Sequence, residues 1–89
     1  MRLFKNIDKK IEEIGFAKIM EDEHGVEYER RDEKYNYTQC VSILHKSSGK
    51  HILQSYDQDP GNTCVGLTGY EMKLFYKKMK QLGKAYKRR

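Results

Sequence analysis

The apolar residues of this chain change their spacing twice, and that change constrains the fold more than any other feature. Near the start, Leu3, Phe4, Ile7, Ile11 and Ile14 form one stripe at the helical period, while Lys5, Asp8, Lys9, Lys10, Glu12 and Glu13 fill the other face. Gly15 stands where a left-handed residue closes a helix. From Phe16 to Asp22 the pattern turns strand-like, and over 26–32 it alternates, with Val26 and Tyr28 on one face and Glu27, Glu29 and Arg31 on the other. The clearest strand is 35–46, with Tyr37, Gln39, Val41, Ile43 and His45 on one face and Thr38, Cys40, Ser42 and Leu44 on the other. A fourth strand spans 50–56.

Turn chemistry joins these segments. His24-Gly25 supplies the first turn, a polar turn near 32–34 the second, and Ser47-Ser48-Gly49 a hairpin loop. That loop implies a register in which Lys46 faces Lys50, His45 faces His51, Ile43 faces Leu53 and Val41 faces Ser55. The Ile43/Leu53 pair then marks the core face, and a slip of one residue would invert every assignment.

The helical period returns after a loop punctuated by Asp59-Pro60-Gly61-Asn62. Thr68-Gly69-Tyr70-Glu71 is a capping box, with Leu67 and Met72 spaced as its hydrophobic staple. The second helix is expected to run to about Leu82 and to stop at Gly83. The order helix, four strands, helix predicts an α+β two-layer sandwich: an antiparallel four-stranded meander with the N- and C-terminal helices on one face. At 89 residues this is one domain, 1–83, followed by a basic tail, 84–89.

Charge is unevenly placed. The formal net charge is +5, yet Lys73, Lys77, Lys78, Lys80, Lys84, Lys87, Arg88 and Arg89 all lie after the last acid, Glu71. On the second helix Met72, Phe75, Met79, Leu82 and Tyr86 are expected to pack on the sheet. Lys73, Lys77, Lys80 and Lys84 then fall nearly opposite. With Lys87, Arg88 and Arg89 they form a candidate surface for nucleic acid or another anionic partner. A merely solvated helix face would use lysine too, though acids are normally mixed in. The aromatic set is biased, with seven tyrosines, three phenylalanines and no tryptophan. Tyr28, Tyr37 and Tyr56 all fall in strands. Gathered on an exposed sheet face, they would make a protein-contact patch.

Catalytic and metal constellations are missing. Cys40 and Cys64 are too few for a disulfide framework and lack Cys-x-x-Cys spacing, which fits reduced thiols in the cytoplasm. His45 and His51 lack two further ligands, so no metal and no cofactor are expected. Cys40 and His45 lie on opposite faces of one strand, leaving Cys64 with His51 as the remaining thiol–imidazole pair. The carboxylates of Glu21-Asp22-Glu23 and Asp32-Glu33 are expected in hydrated turns with ordinary acidity. No glycine-rich phosphate loop, membrane-length apolar run or secretory signal is visible.

The element order and Tyr76-Lys77-Lys78-Met79-Lys80 resemble double-stranded RNA-binding domains, which also end on a basic helix. That family's lysines open the helix, whereas here Glu71 does, so none of its sites is carried over. Three segments more generally resemble those of short proteins without assigned activity in Gram-positive bacteria and their prophages. They are Gly66-Leu67-Thr68-x-x-Glu71, the run from Lys77 to Gly83, and Tyr35-Asn36-Tyr37-Thr38. This resemblance implies a bacterial cytoplasmic setting and no particular chemistry. The expectation is a small non-enzymatic binding module, acting by protein–protein contact or as a homodimer. The alternative is a nucleic-acid-associated protein using the basic helix.

Overall fold

The computed structural model describes residues 2–45, 50–58 and 63–85, with side chains of the first helix from Ile7 onward. Helix α1 (Arg2–Glu13) leads into strands β1 (Ala17–Asp22), β2 (Gly25–Asp32), β3 (Tyr37–His45) and β4 (His51–Asp57), and α2 (Gly69–Ala85) closes the order. The strands form one antiparallel sheet in the order β1-β2-β3-β4, the expected meander. His45↔His51, Ile43↔Leu53 and Val41↔Ser55 pair as the hairpin loop implied. Lys46, the Ser47-Ser48-Gly49 loop, the Asp59–Asn62 turn, Tyr86 and the side chains of Leu3 and Phe4 lie outside the described residues.

The β1–β2 turn differs from expectation. Asp22 pairs with Gly25, so Glu23-His24 forms the turn, and the His24 N–H donates to Asp22 Oδ1 at 2.8 Å. Gly25 instead opens β2 at φ +148°, pressed against the Ile43 carbonyl. In β1 the register shifts between Lys18, opposite Tyr28, and Met20, opposite Glu27. Ile19 is the extra residue of a β-bulge, and its consequence is specific. Lys18 and Glu21, three apart, would face opposite ways on a regular strand, but the bulge turns both toward the helices.

Val26, Tyr28, Val41 and Ile43 point inward from the sheet and meet Ile7, Ile11, Phe16, Leu74, Phe75 and Leu82. Phe75 takes the edges or faces of Phe16 and Tyr28 at ring separations of 5.3 and 5.6 Å. Burying each such side chain contributes about 1.5–3 kcal/mol. The buried side of α2 matches its apolar spacing in part: Phe75 and Leu82 are core as expected, and Met79 packs against it. Leu74, Phe75, Lys78 and Leu82 face the core, whereas Met72 is 36% exposed and Met79 only half-buried.

Three cations tie the layers together. Lys78 is fully buried and has an acceptor for each ammonium proton: Asp8 at 3.1 Å, Glu21 Oε1 at 2.8 Å and Gln81 Oε1 at 2.7 Å. Lys18 joins the same two carboxylates, and the Tyr28 hydroxyl donates to Asp8 Oδ1 at 2.6 Å. Arg30 donates to the Ile14 carbonyl, which α1 leaves without a partner in the helix, and to Gln39 Oε1. It also pairs with Glu71 at 3.0 Å and stacks 4.2 Å above Phe16. Glu71 meanwhile completes the capping box: its carboxylate accepts from the Thr68 N–H, and its own N–H donates to Thr68 Oγ1.

Gly83 does not end α2, which continues to Ala85. Among the described residues a Cβ at Gly83 would meet only His51 Cε1, at 3.7 Å, an ordinary contact. Gly83→Ala is therefore expected to stabilise the protein by about 0.5–1 kcal/mol through helix propensity. Urea denaturation reads this directly, and a loss of stability would mean that the imidazole beside Gly83 needs the open space.

Candidate functional site

The three tyrosines expected to form a contact patch do not come together. Tyr28 is 1% exposed, because its parity with Val26 and its bond to Asp8 turn it into the core. Tyr37 shares the inner face of β3 with Gln39 and Val41, while Tyr56 lies opposite Cys40 on the outer face. That outer face carries Met20, Leu44 and Ile52, all about half-exposed, but Glu27, Glu29 and Arg31 interrupt them. There burial, and then the charges of Glu29 and Glu27, push the Cys40 thiol up, which keeps it protonated and a poor nucleophile.

A better-formed site lies on the inner side. Helix α2 sits over β3, and a groove of about 510 Å³ opens between α2 and β4. Leu53 and Leu67 line its floor and end, and Met72, Tyr76 and Met79 line its helical wall. Leu67 and Met72, the staple pair, thus both border the groove. His51, Ser55 and Cys64 add polar groups, and no carboxylate is among the lining residues. Ser55 is held by Gln39 Nε2 at 2.8 Å, which links the groove to Arg30.

His51 and Cys64 both border this groove, yet they do not meet. His51 stands beside Gly83, whereas Cys64 pairs with Tyr56 at the other end of β4, roughly 16 Å away along the strand. His51 instead stacks on His45, rings 4.6 Å apart and 10° from parallel. Burial, and then the neighbouring His45, lower its basicity. Among the described residues no group of three or more His, Cys, Asp or Glu side chains is arranged to hold a metal ion.

The edge of β4 is half covered. The Asp57 N–H donates to the Thr63 carbonyl, and the Val65 N–H donates to the Ser55 carbonyl. Residues 63–65 therefore occupy this edge through one isolated antiparallel bridge, Tyr56↔Cys64. By alternation, His51 and Leu53 turn their own N–H and C=O groups to the same edge. Among the described residues nothing pairs with them there.

The lysine row stands where the sequence placed it. Lys73, Lys77, Lys80 and Lys84 are exposed, and Lys73, Lys77 and Lys80 form no ion pair with any described carboxylate. Lys87, Arg88 and Arg89 lie outside the described residues. Each of the three follows a groove residue in the chain (Met72-Lys73, Tyr76-Lys77, Met79-Lys80), so the row runs beside the groove one step further from the sheet.

The carboxylates with shifted acidity lie elsewhere, in the Lys78 cluster. Glu21 is not the hydrated turn residue expected from sequence. Burial by itself would raise its carboxyl, but the bonds from Lys78 and Lys18 outweigh that and hold it below its ordinary value. Asp8 behaves alike: burial opposes, while Tyr28, Lys18 and Lys78 lower it. Lys78 has no exposed surface and its protons are all engaged, so this cluster holds structure and has no room for a substrate.

Sequence reasoning missed both Arg30 and Lys78, although a signal existed for each. Arg30 has the inward parity of Val26 and Tyr28, and an inward arginine calls for a carboxylate. Lys78 lies midway between Leu74 and Leu82, four residues from each, on their face of the helix.

Comparisons with protein-family models, with curated proteins and with solved structures find no significant match. Among the described residues no helix is long and apolar enough to cross a membrane.

Proposed function

We propose that this chain is a non-enzymatic binding module that docks a segment of another protein in the groove between α2 and β4. The observation that carries this reading is the groove's wall: Met72 and Tyr76 stand exposed on α2, and Met79, half-buried against the core, completes a wall that faces the half-covered strand β4. Methionines adapt to varied apolar partners, and tyrosine adds a flat body with a wet hydroxyl. Self-association through the same groove would bring two rows of lysines together, which disfavours a second copy as its occupant.

Panning the protein against a displayed library of random heptapeptides tests the reading. Enriched peptides are expected, and their affinity should drop at least tenfold in a Met72→Ala, Tyr76→Ala double variant. Both residues are exposed enough for the fold to survive. Absence of enriched peptides, or peptides indifferent to the double variant, would refute it.

A second reading, contact with nucleic acid, is favoured by Lys73, Lys77 and Lys80, which pair with no described carboxylate, with Lys84 and residues 87–89 adding basic charge in the sequence. Retention on DNA or RNA that vanishes between low and moderate salt would support it. Retention that Lys73→Glu, Lys77→Glu and Lys80→Glu together leave intact would remove the lysine row from it.

A further inference from the structure

We infer that the groove's ligand is an extended acidic segment that adds to β4 as a fifth strand, its acidic side chains meeting Lys73, Lys77 and Lys80. This rests on the groove being a protein-docking site and specifies the partner's backbone and charge. Three observations point the same way.

The first is the edge. His51 and Leu53 present N–H and C=O groups that no described residue satisfies, and only another polypeptide backbone carries the complementary alternation. Residues 63–65 already pair with Ser55 and Asp57 on this same edge. An added strand would continue their line toward the hairpin end of β4, where about four or five residues fit. The second is the wall. Side chains on the inner face of an added strand, spaced two apart, would drop toward Leu53, Tyr76 and Met79. The third is charge. The three lysines run beside that wall, no described carboxylate pairs with them, and none is among the groove's lining residues. An acidic segment is attracted there and a basic one repelled. A nucleic acid would satisfy the lysines but leave both the strand edge and the methionine wall without partners.

The heptapeptides enriched on the wild-type protein decide this. Acidic residues are expected to dominate them. Replacing those acids by their amides should weaken binding at least tenfold, and N-methylation of alternate peptide amides in one of the two possible phases should do the same. Charge reversal (Lys73→Glu, Lys77→Glu, Lys80→Glu) should abolish the acidic preference while leaving the melting temperature in place. Enriched peptides that are neutral or basic, or that ignore charge reversal, would overturn the inference while the docking reading stands. Peptides indifferent to N-methylation in either phase would overturn strand addition. Displacement of the peptides by an oligothymidylate, itself sensitive to charge reversal, would give the lysines to nucleic acid and also overturn it. Failure to enrich any peptide would fell both readings together.

Discussion

Lys78→Ala is expected to cost about 3–5 kcal/mol, a large share of the roughly 5–13 kcal/mol that a domain of this size possesses. The loss follows from what is left behind. Asp8 and Glu21 converge on one ammonium group with no exposed surface, and alanine would take that buried cation from both carboxylates, while Lys18 and the Tyr28 hydroxyl remain. Lys78→Met separates charge from packing, because it keeps the aliphatic stem yet should still be strongly destabilising. Adding Asp8→Asn and Glu21→Gln to Lys78→Met should recover most of the loss, since a neutral cluster of similar volume has no uncompensated charge to bury.

Acid supplies an independent check. In the wild-type protein Asp8 and Glu21 titrate below their ordinary values of 3.8 and 4.5, so their contribution is complete above those values and fades as pH falls through the depressed ones. Stability should therefore decline on acidification below about pH 4.5. In Lys78→Met burial acts with less opposition and raises both carboxyls, so its deficit against wild type should narrow in acid. Urea midpoints at neutral pH and in acid measure this. A deficit that stays constant with pH would show that lost packing, and not the stranded charges, is responsible.

Gly25→Ala is expected to be as damaging by an unrelated route, costing about 3 kcal/mol or more. A Cβ there would lie 2.1 Å from the Ile43 carbonyl oxygen and 3.3 Å from Leu44 Cα, both backbone atoms of the neighbouring strand. No flexible side chain can move aside. At φ +148° the position also suits glycine alone. Relief would mean parting β2 from β3, the central pair of the sheet. Thermal melting of Gly25→Ala beside Gly83→Ala makes the contrast sharp, with one expected to fall and the other to rise. A near-wild-type melting point for Gly25→Ala would mean that β2 and β3 approach less closely than this.

What could be read from sequence was local. The β3–β4 register follows from a short loop and alternating side chains, and the capping box lies within four residues, so neighbouring positions suffice to specify both. The polar interior depends on distant partners. Lys78 is drawn inward by Asp8, seventy residues away, and by Glu21, fifty-seven away, and amphipathic spacing places a lysine in water by default. Nothing in Ala17–Asp22 announces a bulge at Ile19, yet without it Lys18 and Glu21 could not face the same way. The groove was hidden for the same reason. With Lys78 turned inward, the buried side of α2 extends toward Leu74, Met72, expected as core, is exposed, and Met79 is half-buried at the wall of a cleft.

The pairing of Asp8 with Lys78 also ties one step of folding to a distant stretch of the chain. The sheet pairs neighbours in sequence, and Lys18 reaches Asp8 across only ten residues, but the second ammonium on Asp8 arrives with α2. Until α2 has left the ribosome, Asp8 and Glu21 share the Lys18 cation without that of Lys78. The clamp thus closes only when two elements seventy residues apart have both been made.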